Sequence, residues 1–319
     1  MRLCRIGTEK APEVAFYTED RVVSMSAAAR AFSRATGESL TLLHSPNLMD
    51  YLPPDGGGVY GLERIWEWLR ENPRVDIAAA MPTAKAPILL PLPRVNKLLL
   101  LAGNYGAHIV ERGYSPTERA ETFPYVFMKP PSTTLIPTQR AVALPRSAPE
   151  GVDWEIELGI VIGRKARRVS EADAKNCIAG YTIVNDISHR RFRPNPGRRK
   201  RERDTFFDWQ HGKWFDTFCP CGPCILTATS IEDPQCLDMT LTLNGEVRQK
   251  GNTGQMIFPI DAIVSFISHM VTLEPGDIIA TGTPAGVGAA TGLFLRPGDL
   301  MTAHISHIGT LTTPVEMEH

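Results

Sequence analysis

The sequence predicts an α+β protein, with a small N-terminal α+β unit over residues 1–90 and a larger, strand-rich domain over 91–319. Three observations carry the prediction. The first 52 residues alternate short β-like runs, Glu13–Tyr17 and Arg21–Met25, with an Ala-rich helical stretch around Ala27–Ala35. A Pro-studded connector from Pro82 to Pro93 then separates this part from the rest. Beyond it the chain is dominated by apolar runs too short for helices and bounded by Gly, Pro, Asn and Asp, which is how strands read. The length of 319 residues exceeds that of a typical single domain, and 43% hydrophobic residues leave ample material for a core.

Each element follows from local pattern. After the Pro53–Gly58 turn segment, Leu62, Ile65, Trp66 and Leu69 recur at i, i+3, i+4 and i+7, so an amphipathic helix is expected, stopped at Asn72-Pro73. Lys97–Leu101 is an apolar run of buried-strand length. Next, Gly103-Asn104 ends that strand, and the following helical turn puts His108 and Glu111, three apart, on one face. Tyr125–Lys129 reads as a strand ending in a cation. Ser170-Glu-Ala-Asp173 is a helix start with a capping serine. Gly180–Arg190 is a β-rich run with Asp186 at its polar end. Asn244-Gly245, set between Met239–Leu243 and Glu246–Gln249, predicts a two-residue hairpin turn. Pro275-Gly-Asp277 and Pro297-Gly-Asp299 predict turns, and Ile260–Met270 a helix between them.

Composition excludes several classes. A formal net charge of −1 gives no overall attraction to nucleic acid or to an anionic membrane. The one basic run, Pro194–Arg203, is short and has no aromatic interleaving, so it reads as a lid or an interface segment and not as a nucleic-acid arm. No stretch approaches the roughly 20 apolar residues of a membrane span, and the N-terminus lacks a long apolar leader core, so a soluble, cytoplasmic protein is expected. Six cysteines in such a chain read as free thiols. Cys219-Pro-Cys-Gly-Pro-Cys224 has poor metal-clip spacing and no partner pair.

The stretch Asp153–Gly163 organises the reading of function. As a strand it points Glu155 and Glu157 the same way, a few ångströms apart, where two carboxylates do not comfortably stay ionised without a cation. Taken alone, Glu-x-Glu is more often an exposed edge with two solvated acids, and His-x2-Glu more often an ordinary surface pair. The order of motifs decides between these readings. Asp153-Trp-Glu155-Ile-Glu157-Leu-Gly, followed by Gly180-Tyr-Thr-x-x-Asn-Asp186-Ile-Ser, Gly212-Lys213-Trp-Phe, Leu243-Asn-Gly-Glu246 and Thr281-Gly-Thr-Pro-Ala-Gly-Val-Gly288, resembles the fumarylacetoacetate hydrolase family over roughly residues 93–316. The resemblance implies a mixed β-roll for the catalytic domain and a homodimer. It also implies Glu155, Glu157 and Asp186 as metal ligands, His108 and Glu111 as an acid–base pair, Lys213 as a catalytic cation, and Thr281 or Thr283 at the substrate. In the segment after Asp186 the chain departs from the family's usual Ala-Arg-Asp-x-Gln, carrying His189-Arg190-Arg191-Phe-Arg193.

Three carboxylates suit a hard oxygen-loving cation, Mg²⁺ or Mn²⁺, with Ca²⁺ a further choice, whereas zinc prefers nitrogen or sulfur. Three acids and one dication still sum to −1, so an anionic substrate needs nearby cations, for which Lys213 and Arg190 are candidates. The expected substrate is a small anionic 2-oxo acid, chelating through its carboxylate and adjacent carbonyl, with Tyr105, Lys129, Arg190, Arg193, Thr281 and Thr283 as candidates for holding it. The metal as Lewis acid would stabilise the enolate released when a carbon–carbon bond breaks, while His108 takes a proton from water. The reaction read from this is hydrolysis of an acylpyruvate-type 1,3-diketo acid to a carboxylic acid and a 2-oxo acid. The same site suits a 2-oxo acid (oxaloacetate) decarboxylase or isomerase. A metabolite binder without catalysis is the third reading, against which the intact His108, Glu111 and Lys213 weigh.

Overall fold

The computed structural model describes residues 1–56, 61–111, 113, 115 and 119–319, so the Gly57-Gly58 end of the expected Pro53–Gly58 turn lies outside the described residues. Among them, two sheets carry the molecule. The larger has twelve strands. Its path runs from Met81–Pro82 through Arg21–Ser24, Ala11–Tyr17, Arg2–Thr8, Cys219–Thr227, Ile178–Asn185, Ile156–Ile162, Ile278–Ala280 and Leu98–Ala102 to Tyr125–Met128. Ile88–Leu89 adds to Arg2–Thr8, and Leu135–Ile136 to Cys219–Thr227. The smaller sheet orders Glu246–Asn252, Asp238–Leu243, Leu300–Ile305, Gly309–Met317 and Val142–Leu144. Most neighbours are antiparallel; Ile278–Ala280 with Leu98–Ala102, Leu135–Ile136 with Cys219–Thr227, and Gly309–Met317 with Val142–Leu144 are parallel. The architecture is the mixed α+β fold expected.

Ile156–Ile162 is central and buried at every position, because both of its faces are covered. Strand side chains alternate faces, and the two faces meet different cores. Ile156, Leu158, Ile160 and Ile162 join the cluster that includes Ile263, Val264 and Ile267 of the Ile260–Met270 helix. Val161 points the other way, into a cluster with Leu3, Phe16, Phe32, Ile65 and Trp66 of the N-terminal part. Glu157 shares that second face by periodicity. The strand therefore carries acids at one end and core residues at the other, and the N-terminal helices cap the core end.

The N-terminal elements form as their patterns require. Met25–Thr36 begins at Ser24, whose hydroxyl accepts from the Ala27 N–H, and ends at Gly37 in the left-handed region, φ 74°. Leu62–Glu71 buries the four residues of its apolar stripe, Leu62, Ile65, Trp66 and Leu69. Arg2–Thr8 pairs with Cys219–Thr227 at Arg2↔Leu226 and Leu3↔Ile225, joining this part to the large sheet.

One expectation is corrected and one segment gains a structure the pattern did not give. The Asp153–Gly163 stretch is not one strand: Val152–Asp153 pairs with Ser188–His189, the chain breaks at Trp154-Glu155, and Ile156–Ile162 begins anew. The Cys219–Cys224 segment, read only as a poor metal clip, opens a nine-residue strand buried throughout. Pro223 falls where the register with Ile178–Asn185 shifts between Tyr181 and Ile183. All six cysteines are free thiols, five of them buried.

Candidate active site

The break at Trp154-Glu155 is what aims the acids. The Glu155 N–H donates to Asn185 Oδ1 (2.9 Å) and its carbonyl accepts from the Asp186 N–H (2.9 Å), so the start of one strand is stitched to the end of its neighbour. Glu155, Glu157 and Asp186 converge: each offers a carboxylate oxygen, these oxygens lie within 4.8 Å of one another, and all three side chains are buried. The loop after Ile278–Ala280 closes the group from the side. Thr281 and Thr283 hydroxyls donate to the Leu158 and Ile156 carbonyls (3.0 and 2.7 Å), and the Gly282 N–H donates to Glu157 Oε2 (2.8 Å).

Cations surround the acids unevenly. Lys213 Nζ, itself buried, donates to Glu155 Oε2 (2.9 Å), Asp186 Oδ2 and Ser188 Oγ (2.7 Å). Lys129 Nζ donates to Asp186 Oδ1 (2.7 Å) and to the Ile187 and Phe218 carbonyls. Arg190 donates from Nε to Asp153 Oδ2 (3.0 Å) and from Nη2 to Glu155 Oε1. Burial alone would raise Glu155, but Arg190, Lys213 and His108 outweigh it and hold its carboxyl well below the usual range. Glu157 goes the other way: burial and the charges of Asp186 and Glu155 push it well above the usual value. Burial works against the Lys213 ammonium, yet the Asp186 and Glu155 charges keep its pKa raised.

This asymmetry fits a divalent cation. Four carboxylates, counting Asp153, face three cations, and Glu157 is the acid left over. Three buried oxygen donors of this kind suit a hard dication. A dication among four acids and three bases would leave the site with one positive charge, favourable to an anion, so the cations here correct the field more fully than Lys213 and Arg190 alone.

The acid–base pair lies beside this group. His108 and Glu111 sit on the Gly106–Glu111 helix, with His108 Nδ1 3.3 Å from Glu111 Oε2. Glu111 is fixed in turn by the Gly286 N–H on its Oε1 (2.8 Å). Gly286 has φ 105°, and a Cβ there would come 2.0 Å from the Arg248 carbonyl oxygen, so only glycine brings that N–H to Glu111.

A cleft of about 420 Å³ reaches Glu111; Ser188, Arg190, Arg193, Trp209 and Val287 also line it, whereas the three converging carboxylates do not. The structure therefore divides the expected substrate-binding residues. Arg190 and Arg193 line the cleft. Lys129, Thr281 and Thr283 spend their polar hydrogens on protein acceptors, and the buried Tyr105 hydroxyl donates to Met239 Sδ at 3.4 Å, so these four hold the wall in place.

Sequence reasoning missed the residues that do the holding. Asp153 accepts from the Trp154, Gly288 and Ala289 N–H groups as well as from Arg190. Gln249 accepts from the Ile156 N–H (3.0 Å) and donates to Thr283 Oγ1 and the Pro284 carbonyl (2.8 Å each), tying hairpin to strand to loop. Asn104 joins the Thr281 and Phe258 carbonyls. Asp153 stood beside the acids in the sequence, and Asn104 in a strand-ending turn; Gln249 carries no local signal.

Residues 97–316 match the family described as fumarylacetoacetate (FAA) hydrolase, C-terminal. The chain belongs to the fumarylacetoacetate hydrolase family. It is 40% identical over 225 residues to the 2,4-didehydro-3-deoxy-L-rhamnonate hydrolase of Sphingomonas sp. (strain SKA58), covering 69% of this chain and 73% of that one. It is 36% identical over 237 residues to the mitochondrial oxaloacetate tautomerase FAHD2A of Homo sapiens, covering 74% and 71%. The crystal structure of maleylpyruvate hydrolase from Sphingobium sp. SYK-6, in complex with manganese (II) ion and pyruvate, superposes with TM-score 0.68 at 27% identity over the whole of both chains. The chain is thus an enzyme of a family whose members here are named as hydrolases and a tautomerase. Among the described residues no helix is long and apolar enough to cross a membrane.

Proposed function

We propose that this enzyme is a divalent-metal-dependent hydrolase that cleaves a carbon–carbon bond in an acylpyruvate-type 1,3-diketo acid, giving a carboxylic acid and a 2-oxo acid. The observation that carries the reading is the convergence of Glu155, Glu157 and Asp186 beside a histidine–glutamate pair. Glu155, Glu157 and Asp186 would hold the ion, Mg²⁺ or Mn²⁺. The manganese-bound hydrolase of similar fold supports that choice. When bound, such an ion supplies positive charge that polarises the oxygens of a 2-oxo acid and stabilises the negative charge left by bond cleavage.

The chain's own groups do the rest. Glu111, fixed by the Gly286 N–H, holds His108 Nδ1, which orients Nε2 toward water. His108 takes one proton of that water, whose oxygen adds to the distal carbonyl. The bond between that carbonyl carbon and C3 then breaks, its electron pair passing to the 2-oxo acid fragment, which the proton on His108 restores to neutral carbon. Lys213 stays cationic beside Glu155 and Asp186 and offsets the developing charge.

A second reading, proton transfer that interconverts keto and enol forms of a 2-oxo acid, is favoured by the 36%-identical oxaloacetate tautomerase and needs the same base. Purified protein loaded with Mg²⁺ or Mn²⁺ is given acetylpyruvate and, separately, oxaloacetate, and the enol absorbance and the acid released are followed. Release of acetate and pyruvate in equal amounts is the expected result. Loss of the oxaloacetate enol with no cleavage of acetylpyruvate would replace hydrolysis by tautomerisation. Assembly as a homodimer belongs to the same proposal and is read by light scattering.

A further inference from the structure

The cleft that reaches Glu111 and Ser188 also holds two arginines, Arg190 and Arg193, whose donors are not all spent. Arg190 spends its Nε on Asp153 and its Nη2 on Glu155, and its Nη1 is buried with no partner among the described residues. Arg193 stands in the same cleft, about half exposed, with Nη1 on the Phe192 carbonyl (2.7 Å). Its only ion-pair contact among the described residues is loose: Nε lies 3.5 Å from Asp208 Oδ2, an oxygen already taken by Arg198 Nη2 at 2.6 Å. Arg198 belongs to the basic segment 194–203 and also grips Asp204 (3.1 Å), so that segment is pinned to the Asp204–His211 helix and the Asp208 oxygen nearest Arg193 is already held. The rest of the lining mixes Val287, Ala289, Ala290 and Trp209 with the hydroxyl side chains of Ser188 and Thr205.

We infer that Arg193 is a specificity-determining residue that binds a second carboxylate, so that the preferred substrate is a 2-oxo acid carrying an anionic group at its far end. The inference rests on the proposed function, with the 2-oxo acid head held where the cleft reaches Glu111 and Ser188. The head then lies by Ser188 and Arg190, a short carbon chain runs past Val287, Ala289, Ala290 and Trp209, and the distal carboxylate meets the Arg193 guanidinium. A guanidinium accepts a carboxylate through two parallel N–H donors, and Arg193 surrenders only a 3.5 Å contact to do so. The basic segment contributes by occupying Asp208, which would otherwise compete for Arg193.

The test measures binding, apart from turnover. Calorimetry on the full-length protein loaded with Mn²⁺ compares 2-oxoglutarate with 2-oxopentanoate, and 2-oxoadipate with 2-oxohexanoate. These pairs match in length and differ in the end carboxylate, and none contains a cleavable 1,3-dicarbonyl. A charge-assisted pair of this kind predicts that one diacid binds about 10–100-fold tighter than its monoacid partner. Arg193→Ala, at a half-exposed position where folding is not at stake, brings the ratio to about one and leaves the monoacid affinity unchanged; Arg193→Lys keeps part of it. Equal affinities in the unmodified protein, a preference that survives Arg193→Ala, or no binding of any of the four would overturn the inference. An Arg193-dependent preference without acetylpyruvate cleavage would sink the hydrolase reading alone, and cleavage without the preference would sink this one alone.

Discussion

Lys129 offers a sharp quantitative test, because its charged end is closed off from water and each of its three hydrogens has a named acceptor. Nζ bonds Asp186 Oδ1 at 2.7 Å, the Ile187 carbonyl at 2.9 Å and the Phe218 carbonyl, with none of the side chain exposed. Lys129→Met keeps the length and removes the charge, leaving Asp186 with Lys213 alone and two carbonyls without their donor. Breaking one side of a buried ion pair costs about 3–5 kcal/mol. With an unfolding entropy of about 2 cal/mol/K per residue, a chain of this length loses roughly 0.7 kcal/mol of stability per degree, so Tm should fall by about 4–7 °C. Thermal unfolding of the metal-free protein by circular dichroism reads this directly. Because the ammonium is spent inside the protein, the KM for a 2-oxo acid should change less than twofold. A Tm within 1 °C of the unmodified protein, or a KM raised tenfold at unchanged Tm, would show that Lys129 faces substrate and that the hydrogen-bond assignment is wrong.

Further expectations concern the base, a buried imidazole and the N-terminal part. His108→Ala should lower kcat by about 10²–10⁴, and Glu111→Gln by less, since it orients the ring; full activity of the histidine variant would remove His108 from the chemistry. His189 donates from Nε2 to the Ala148 carbonyl, and burial lowers its pKa below the ordinary 6.5. Its folded form resists protonation more than the unfolded chain, so this contribution to stability is complete above pH 6.5 and is lost as pH falls through the folded value. His189→Phe should flatten that part of the stability–pH curve, and an unchanged slope would refute the assignment. The sheet and core shared across the boundary proposed near residue 90 predict that 91–319 expressed alone aggregates. Without residues 1–90 the Cys219–Thr227 strand loses its partner Arg2–Thr8, and Leu98, Leu100, Val161 and Ile225 lose their cover; a soluble, folded fragment would contradict this.

What could be read from the chain beforehand follows the range of the forces involved. The helix Leu62–Glu71, the hairpin at Asn244-Gly245 and the capped turn after Ser170 are set by neighbours in sequence, through apolar spacing, positive φ (53° and 84°) and a serine cap. The strand Cys219–Thr227 was hidden because proline lacks the N–H a central strand normally donates; the irregular register of its partner, a long-range fact, falls beside Pro223, and Pro220 sits near the strand's start, beyond the last pair with Ile178–Asn185. The ordered motifs pointed to Glu155, Glu157 and Asp186 before any geometry was known. They were silent on Gln249 and Asp153, whose positioning roles exist only once strand, hairpin and loop have met. Lys129 and the two threonines were expected at the substrate because their type suits it. Their hydrogens are taken by carbonyls that sequence does not reveal.

The account stands on one ion shared by three carboxylates. Crystals soaked in Mn²⁺ and measured at a wavelength where manganese scatters anomalously should give a single strong peak within coordination distance, about 2.0–2.3 Å, of oxygens from Glu155, Glu157 and Asp186, and that peak should vanish in Glu157→Gln. A soaked crystal in which manganese binds elsewhere, or in which Lys213 and Arg190 keep all three acids and no peak lies among them, would contradict the account.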